Sequence, residues 1–251
     1  MTKIRMAVAA GVRTVTLNRP HKRNALDGEM IAALEAAFAH PPAADERVAV
    51  IRAEGSAFCA GLDLTERAAR PHGASPIEGM LATIERYPLP VVAVVQGDAI
   101  AGGNELALHG DLVVASAAAR FAMPLAQIGL APSWPLVKKL LEAAGPAATR
   151  AFLLLGDPLP AARLYELGII SHLAEPQDLK RTAEAVIERV AGNAPLALRA
   201  MKAVLLRAMA FREQIEHADV DRLVEAVRSS RDAQQGMAAR LARRKPKFSG
   251  S

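Results

Sequence analysis

The sequence predicts an α/β fold with largely parallel strand pairing, followed by a region of helices. Val91–Val95 is an unbroken apolar run bounded by Pro90 and Gly97, which is typical of a strand buried on both faces of a sheet. Leu112–Ala115 is a second run of this kind, and helical patterns separate the strands. Beyond Pro132 almost every periodic segment is helical, so the chain changes character there.

The first half of the chain supplies most of the predicted strands. Alternating apolar and polar residues around Gly11 predict a hairpin. Asn24 or Asp27 can cap the first helix, and two prolines end the next one. Small residues predict a loop over Glu54–Asp63. The predicted strands are Ile4–Ala9, Arg13–Asn18, Val48–Ala53, Val91–Val95, Leu112–Ala115 and Arg120–Met123, and the later helices are Pro76–Tyr87 and Gly102–His109.

The second half is predicted to be a helical extension of the same unit. An apolar stripe at helical spacing supports the helix Leu179–Val190. No repeat of fixed period or low-complexity linker separates the two halves. The predicted helices are Leu136–Ala143, Ala147–Leu155, Ala161–Leu167, Leu179–Val190, Pro195–Ala208 and Gln214–Val227, and the one predicted strand is Ile169–Leu173.

The composition predicts a soluble cytoplasmic protein with a sizeable core. Hydrophobic residues make up 51 % of the 251 residues. The single cysteine, Cys59, excludes an internal disulfide and fits a reducing compartment. The chain start lacks the apolar run of a signal peptide, and no window has the length of a membrane span.

Charge and motif content narrow the classes of function. The net charge of +5 is compatible with nucleic acid, a phosphate-bearing small ligand or a solvated basic surface. An aromatic content of 4 % argues against base stacking and therefore against nucleic acid. The phosphate-binding loop, the dinucleotide fingerprint and the serine elbow are all missing. No histidine has metal-ligand spacing, so no metal site is predicted.

Two glycine-containing segments carry the predicted chemistry. Ala57–Leu64 and Gly97–Leu106 each follow a predicted buried strand, where open α/β sheets place ligands. Amide groups at glycine turns and helix starts can hold a developing oxyanion. Glu105 lies one helical turn after Gly102 and could act as a general base. The alternative is that Glu105 only stabilises the helix N-terminus, and the residues alone leave both interpretations open.

The ordered set of motifs resembles the enoyl-CoA hydratase/isomerase (crotonase) family. The two glycine segments look like that family's oxyanion loops and lie about forty residues apart. The resemblance extends along the chain through Val15–Pro20, Asn24–Leu26, Asp111–Ser116, Leu153–Gly156, Leu167–Ile170, Pro195–Ala197 and Lys245–Phe248. It implies a spiral ββα core over residues 1–195, which binds acyl-CoA, and a helical trimerisation region over residues 196–251.

The resemblance also implies a ligand and roles for individual residues. The ligand would be an acyl-CoA thioester, with no separate cofactor, and the assembly would be a homotrimer or a dimer of trimers. The amides of Leu62 and Gly102 would hold the thioester carbonyl. The other implied ligand-binding residues are Lys22, Arg23, Ala60, Asp63, Leu125, Ser133 and Trp134. Asp63 is interpreted as more structural than catalytic, and for each basic residue a plain solvated charge is the favoured interpretation.

The sequence departs from the family pattern at the second hydratase glutamate. Leu125 stands at that position, and leucine cannot donate a proton. Ser133 and Trp134 also replace residues that are usual there, so an altered acyl pocket is expected. Hydration of a 2-enoyl-CoA with Glu105 as the base is the leading hypothesis. Isomerisation, decarboxylation and non-catalytic RNA binding are the alternatives.

Overall fold

The computed structural model describes residues 2–69 and 76–251, which form two β-sheets surrounded by helices. The strands are β1 (Ile4–Ala9), β2 (Val12–Leu17), β3 (Val48–Ala53), β4 (Ala57–Cys59), β5 (Val91–Val95), β6 (Asp98–Ile100), β7 (Leu112–Ser116), β8 (Arg120–Ala122), β9 (Leu159–Pro160) and β10 (His172–Ala174). The helices are α1 (Gly28–Ala39), α2 (Leu64–Ala69), α3 (Glu78–Glu85), α4 (Gly102–Leu108), α5 (Trp134–Leu154), α6 (Ala161–Glu166), α7 (Leu179–Ala191), α8 (Pro195–Met209), α9 (Ala218–Arg228) and α10 (Arg231–Leu241).

The chain builds the two sheets together by repeating one unit. The larger sheet has the order β1-β2-β3-β5-β7-β10, and the smaller has the order β4-β6-β8-β9. In each of the successive pairs β3/β4, β5/β6 and β7/β8, the first strand belongs to the larger sheet and the second to the smaller. The pairs β3–β5 and β5–β7 are parallel, as are β4–β6 and β6–β8. This spiral of ββα units confirms the predicted fold class.

Strand β5 is buried on both faces, as its apolar run predicts. Val91, Ala93 and Val95 pack into the main core, which lies beneath α1 and α3. Val92 and Val94 point the other way, into a second core that α7 covers with the predicted apolar stripe. Because every side chain of β5 is enclosed, alternation is absent and the sequence reads as a continuous apolar segment.

Several local features differ from the sequence prediction. Glu54–Asp63 contains the short strand β4 and is therefore not entirely loop. The predicted helices on either side of Gly145 are joined as α5, which has a kink at that residue (φ 67°, ψ 172°). Asp27 caps α1 by accepting a hydrogen bond from the Met30 amide, whereas Asn24 supports the neighbouring turns. Within residues 2–69 and 76–251, no helix has the length and apolarity needed to span a bilayer.

Candidate active site

The candidate site is a largely apolar cavity where α4 begins, beside the loop after β4. Helices α9 and α10 close it from the C-terminal end of the same chain, and α10 packs against α2. Glu105 is the single carboxylate among the described residues of the wall. The wall is formed by Ala60, Leu62, Leu64, Arg67, Ile77, Ile100, Ala101, Gly102, Glu105, Met123, Pro124, Leu125, Ile128, Leu130, Ala131, Pro132, Ser133, Leu136, Arg228 and Arg240.

The Glu105 carboxylate is fully buried. Among the described residues, neither of its oxygen atoms has a hydrogen-bond partner. Burial raises the pKa of Glu105 to about 8, and the positive charge of Lys139 opposes that shift only in part. A carboxyl group with a pKa near neutrality can both accept and return a proton at physiological pH.

His109 lies one helical turn behind Glu105. Its Nδ1 donates a hydrogen bond to the Glu105 carbonyl oxygen over 2.7 Å, and lies 3.9 Å from the carboxylate Oε2. Burial lowers the pKa of His109 to about 4, so the ring is neutral at physiological pH. Since a neutral imidazole leaves the nearby carboxylate uncompensated, His109 does not cancel the effect of burial on Glu105.

Two backbone amides without acceptors belong to residues of the wall that contains Glu105. Gly102 is the first residue of α4, so its N–H has no partner within the helix. Leu62 pairs with Leu26 as an isolated bridge, in which the Leu26 amide donates to the Gly61 carbonyl oxygen and the Asp63 amide donates to the Leu26 carbonyl oxygen, so the Leu62 amide is not used. Across the parts of the chain that the structure describes, neither amide has an acceptor. A Cβ built on Gly102 would lie 3.6 Å from the Leu62 nitrogen, so the two loops are in direct contact.

Glycine permits this close approach of the two loops. Gly61 has φ +88°, and a Cβ there would lie 2.8 Å from the Ile100 carbonyl oxygen. A Cβ on Gly103 would lie 2.1 Å from the Cys59 carbonyl oxygen. A residue with a side chain would clash at either position, so glycine is required at both for the loops to lie this close together.

The predicted acyl-pocket residues are only partly brought together. Leu125 lines the cavity at the start of a 3-10 turn, and it packs against the main core. Ser133 also lines the cavity, and its buried Oγ has no hydrogen-bond partner within the described part of the chain. Trp134 instead lines a second, more polar cavity and stacks on His217 with a centroid separation of 4.8 Å. The structure thus places Trp134 outside the cavity that contains Glu105.

Of the remaining predicted ligand-binding residues, Ala60 lines the cavity, whereas Lys22, Arg23 and Asp63 do not. Ala60 lies in the cavity wall, and its amide donates to the Arg23 carbonyl oxygen. The Arg23 side chain is exposed and pairs with Asp98 over 2.9 Å. Lys22 is exposed beside it and does not line the cavity. Asp63 accepts a hydrogen bond from Arg19 over 2.8 Å, which fits the structural role expected for it.

Sequence reasoning missed several residues of the cavity wall. Ile77 approaches Gly102, with its Cδ1 atom 3.3 Å from the position of a Gly102 Cβ. Arg67 and Arg228 enter the wall from α2 and α9. His109, which contacts Glu105 from outside this wall, was also missed, although a spacing of four residues on one helix could have indicated it.

Burial of Glu105 is expected to make the stability of the protein depend on pH. The pKa of its carboxyl is raised from 4.5 in the unfolded reference to about 8. Folding therefore takes up a proton between these values, and stability is lost as the pH rises through this window. Relative to Glu105→Gln, we expect the unfolding free energy of the wild type to fall by about 1.4 kcal/mol per pH unit between about pH 5 and pH 8.

Urea denaturation across this pH range measures the difference between the two proteins. Glu35→Gln, which removes an exposed carboxylate from α1, is the control and should show no comparable change in slope. A constant difference between wild type and Glu105→Gln across the range would contradict burial of an uncompensated carboxyl group.

Comparison with known proteins gives this geometry a family context. The sequence profile described as "Enoyl-CoA hydratase/isomerase" matches residues 7–251. The 1,2-epoxyphenylacetyl-CoA isomerase of Escherichia coli (strain K12) is 32 % identical over 256 residues, covering 97 % of each chain. The crystal structure of carnitinyl-CoA hydratase from Mycobacterium avium superposes with a TM-score of 0.88, at 27 % identity and complete coverage of both chains.

A third relative carries out a different reaction on the same fold. The crystal structure of methylmalonyl CoA decarboxylase superposes with a TM-score of 0.88, at 25 % identity, over 99 % of this chain and 98 % of that one. Isomerase, hydratase and decarboxylase relatives therefore share the architecture, and fold alone does not select the reaction. The extent of these matches shows that the chain is a member of the enoyl-CoA hydratase/isomerase family.

Proposed function

We propose that this protein isomerises an enoyl-CoA by moving its double bond between the C3–C4 and C2–C3 positions. The observation that carries the proposal is Glu105, which is buried and is the one carboxylate among the described residues of the cavity wall. Isomerisation needs one group that removes a proton from C2 and returns it to C4. A carboxyl with a pKa of about 8 can do both at physiological pH.

The amides of Leu62 and Gly102 supply the other half of the proposed mechanism. Removal of the C2 proton places negative charge on the thioester oxygen, which forms a dienolate. Two N–H donors fixed in a water-poor site stabilise that charge without having to reorganise. The loop contact at Gly61 supports their alignment, because it fixes the two amides relative to each other.

Hydration is the second candidate, and Ser133 favours it. Its buried Oγ lines the cavity without a hydrogen-bond partner within the described part of the chain, so it could hold a water molecule. Glu105 would then take a proton from that water as oxygen adds to C3, and a proton would be delivered to C2. Leu125, where hydratases of the family carry a second acid, cannot supply that proton, so isomerisation is the better supported reaction.

Turnover of two substrates in ¹⁸O-labelled water tests the proposal. We expect 3-hexenoyl-CoA to yield 2-hexenoyl-CoA, identified by chromatography with mass spectrometry, without any labelled product. Conversion of 2-hexenoyl-CoA to labelled 3-hydroxyhexanoyl-CoA as the main reaction would support hydration instead. If neither thioester is converted, and neither are their counterparts with a terminal carboxylate, both candidate functions are wrong.

We also expect self-association through α8. Several large apolar side chains on this helix are exposed, namely Leu196, Met201, Val204 and Leu205. An exposed apolar patch of this kind typically marks a protein interface. Light scattering after size-exclusion chromatography should give a trimer or a dimer of trimers, and Val204→Glu should shift the mass towards the monomer. A wild-type monomer at micromolar concentration would contradict this expectation.

A further inference from the structure

The cavity wall contains arginines that the proposed mechanism does not use. Arg67 lies on α2, five residues after Leu62, and Arg228 lies near the end of α9. Both line the same cavity as Glu105, and the Arg228 side chain is only 11 % exposed. Placing guanidinium groups beside apolar side chains is costly unless an anion compensates them.

The two guanidinium groups are close enough to repel each other. Burial lowers the pKa of Arg67, and the positive charge of Arg228 lowers it further. Glu225 acts in the opposite direction. Two like charges in one wall favour a ligand that carries negative charge between them.

The carboxylates that face Arg228 satisfy it only loosely. Glu78 lies 3.8 Å from its Nη2, and Glu225 lies 3.7 Å from its Nη1. Both distances exceed those of hydrogen bonds, so the N–H donors of Arg228 are not engaged in short contacts with these groups. Arg240 adds a third positive charge to the wall.

The position of Arg228 relative to the proposed oxyanion site identifies which part of a ligand it would meet. Ile77 touches the position of a Gly102 Cβ, and Glu78, the next residue, pairs with Arg228. One residue of this segment thus borders the thioester site while the next faces the guanidinium group of Arg228, and both lie along the same cavity. A group on the far end of an acyl chain would reach the arginines.

We infer that Arg67 and Arg228 bind a carboxylate at the distal end of the acyl chain, so that the preferred substrates are CoA thioesters of dicarboxylic acids. This inference rests on the proposed function, because it takes the amides of Leu62 and Gly102 as the thioester site. Guanidinium groups bind carboxylates through paired N–H donors, and such charged hydrogen bonds are stronger than neutral ones.

Calorimetric binding of saturated thioesters tests the inference without requiring turnover. Succinyl-, glutaryl- and adipoyl-CoA are compared with butanoyl-, pentanoyl- and hexanoyl-CoA, their uncharged counterparts of equal chain length. We expect at least one carboxylated ligand to bind roughly 10- to 100-fold more tightly than its counterpart. Arg228→Met should remove this preference and leave the affinity for the uncharged ligand nearly unchanged.

Arg222→Met is the matched control, because it removes an exposed positive charge from the same helix outside the cavity. It should retain the preference for the carboxylated ligand. Arg67→Met provides a second test at the same site if Arg228→Met does not fold. Equal affinities within all three ligand pairs would overturn the inference. So would an equal loss of affinity for both ligands in Arg228→Met, since the arginine would then be binding a CoA phosphate.

The same protein samples separate this inference from the proposed function. Turnover of 3-hexenoyl-CoA without a preference for carboxylated ligands would leave the isomerase proposal standing and remove the role of the arginines. A clear preference that depends on Arg228, in a protein that converts neither the hexenoyl thioesters nor their counterparts with a terminal carboxylate, would support the carboxylate site and refute the proposed reaction.

Discussion

Replacing Glu105 with glutamine is expected to lower kcat for 3-hexenoyl-CoA by about 10²- to 10⁴-fold, the usual contribution of a general acid–base group. Glutamine has nearly the shape of glutamate, but its amide cannot accept and return the proton. No other carboxylate lines the described part of the cavity wall. The chain therefore offers no nearby substitute for the missing base.

This loss should occur without loss of folding or ligand binding. Because the buried carboxyl has no hydrogen-bond partner among the described residues, the neutral amide should not reduce stability at neutral pH. Affinity for hexanoyl-CoA should change by less than about threefold, since the carboxyl is assigned to proton transfer rather than binding. Glu35→Gln, altered at an exposed position on α1, should keep full activity. Undiminished turnover in Glu105→Gln would remove Glu105 from the mechanism.

The fold could be predicted from the sequence wherever a single strand or helix has a recognisable pattern of apolar residues. The enclosed strand β5 and the striped helix α7 are both recognisable from their apolar residues alone. The strands β4 and β6 have three residues each, which is too short for any periodicity to show. They form because they pair with each other in the smaller sheet, after the strands before them have ended in the larger one. This pairing joins segments far apart in the chain, so local patterns do not reveal it.

The residues of the candidate site also differ in whether the sequence alone can bring them together. Glu105 and Gly102 are three residues apart in sequence, so their association with one helix start is visible without a structure. Arg228 reaches the same cavity from a helix more than a hundred residues away, and no spacing rule predicts such a contact. Trp134 shows the opposite case, since it lies next to Ser133 in sequence and yet lines a different cavity. The first turn of α5 directs the two side chains to different sides.

Replacing Gly102 with proline should reduce kcat/KM by about 10²- to 10³-fold, because it deletes one of the two proposed oxyanion donors. Proline is accepted at the first position of a helix, where its missing N–H would have no partner within the helix. Gly102 occupies that position in α4. The helix position itself tolerates proline, but the preceding Ala101 (φ 49°, ψ −116°) lies outside the extended region that proline favours in its neighbour, so the folding of this variant has to be measured with its activity.

Gly102→Ala separates the loss of the donor from the gain of side-chain bulk. An alanine Cβ would lie 3.3 Å from the end of the Ile77 side chain and at least 3.5 Å from the other neighbouring atoms, so a small shift of that side chain accommodates it. Alanine also keeps the N–H, and its activity should stay within about tenfold of the wild type. Thermal unfolding verifies that both variants fold. If folded Gly102→Pro and Gly102→Ala have the same activity, the Gly102 amide does not stabilise the transition state, because the two variants differ in whether that amide carries a proton.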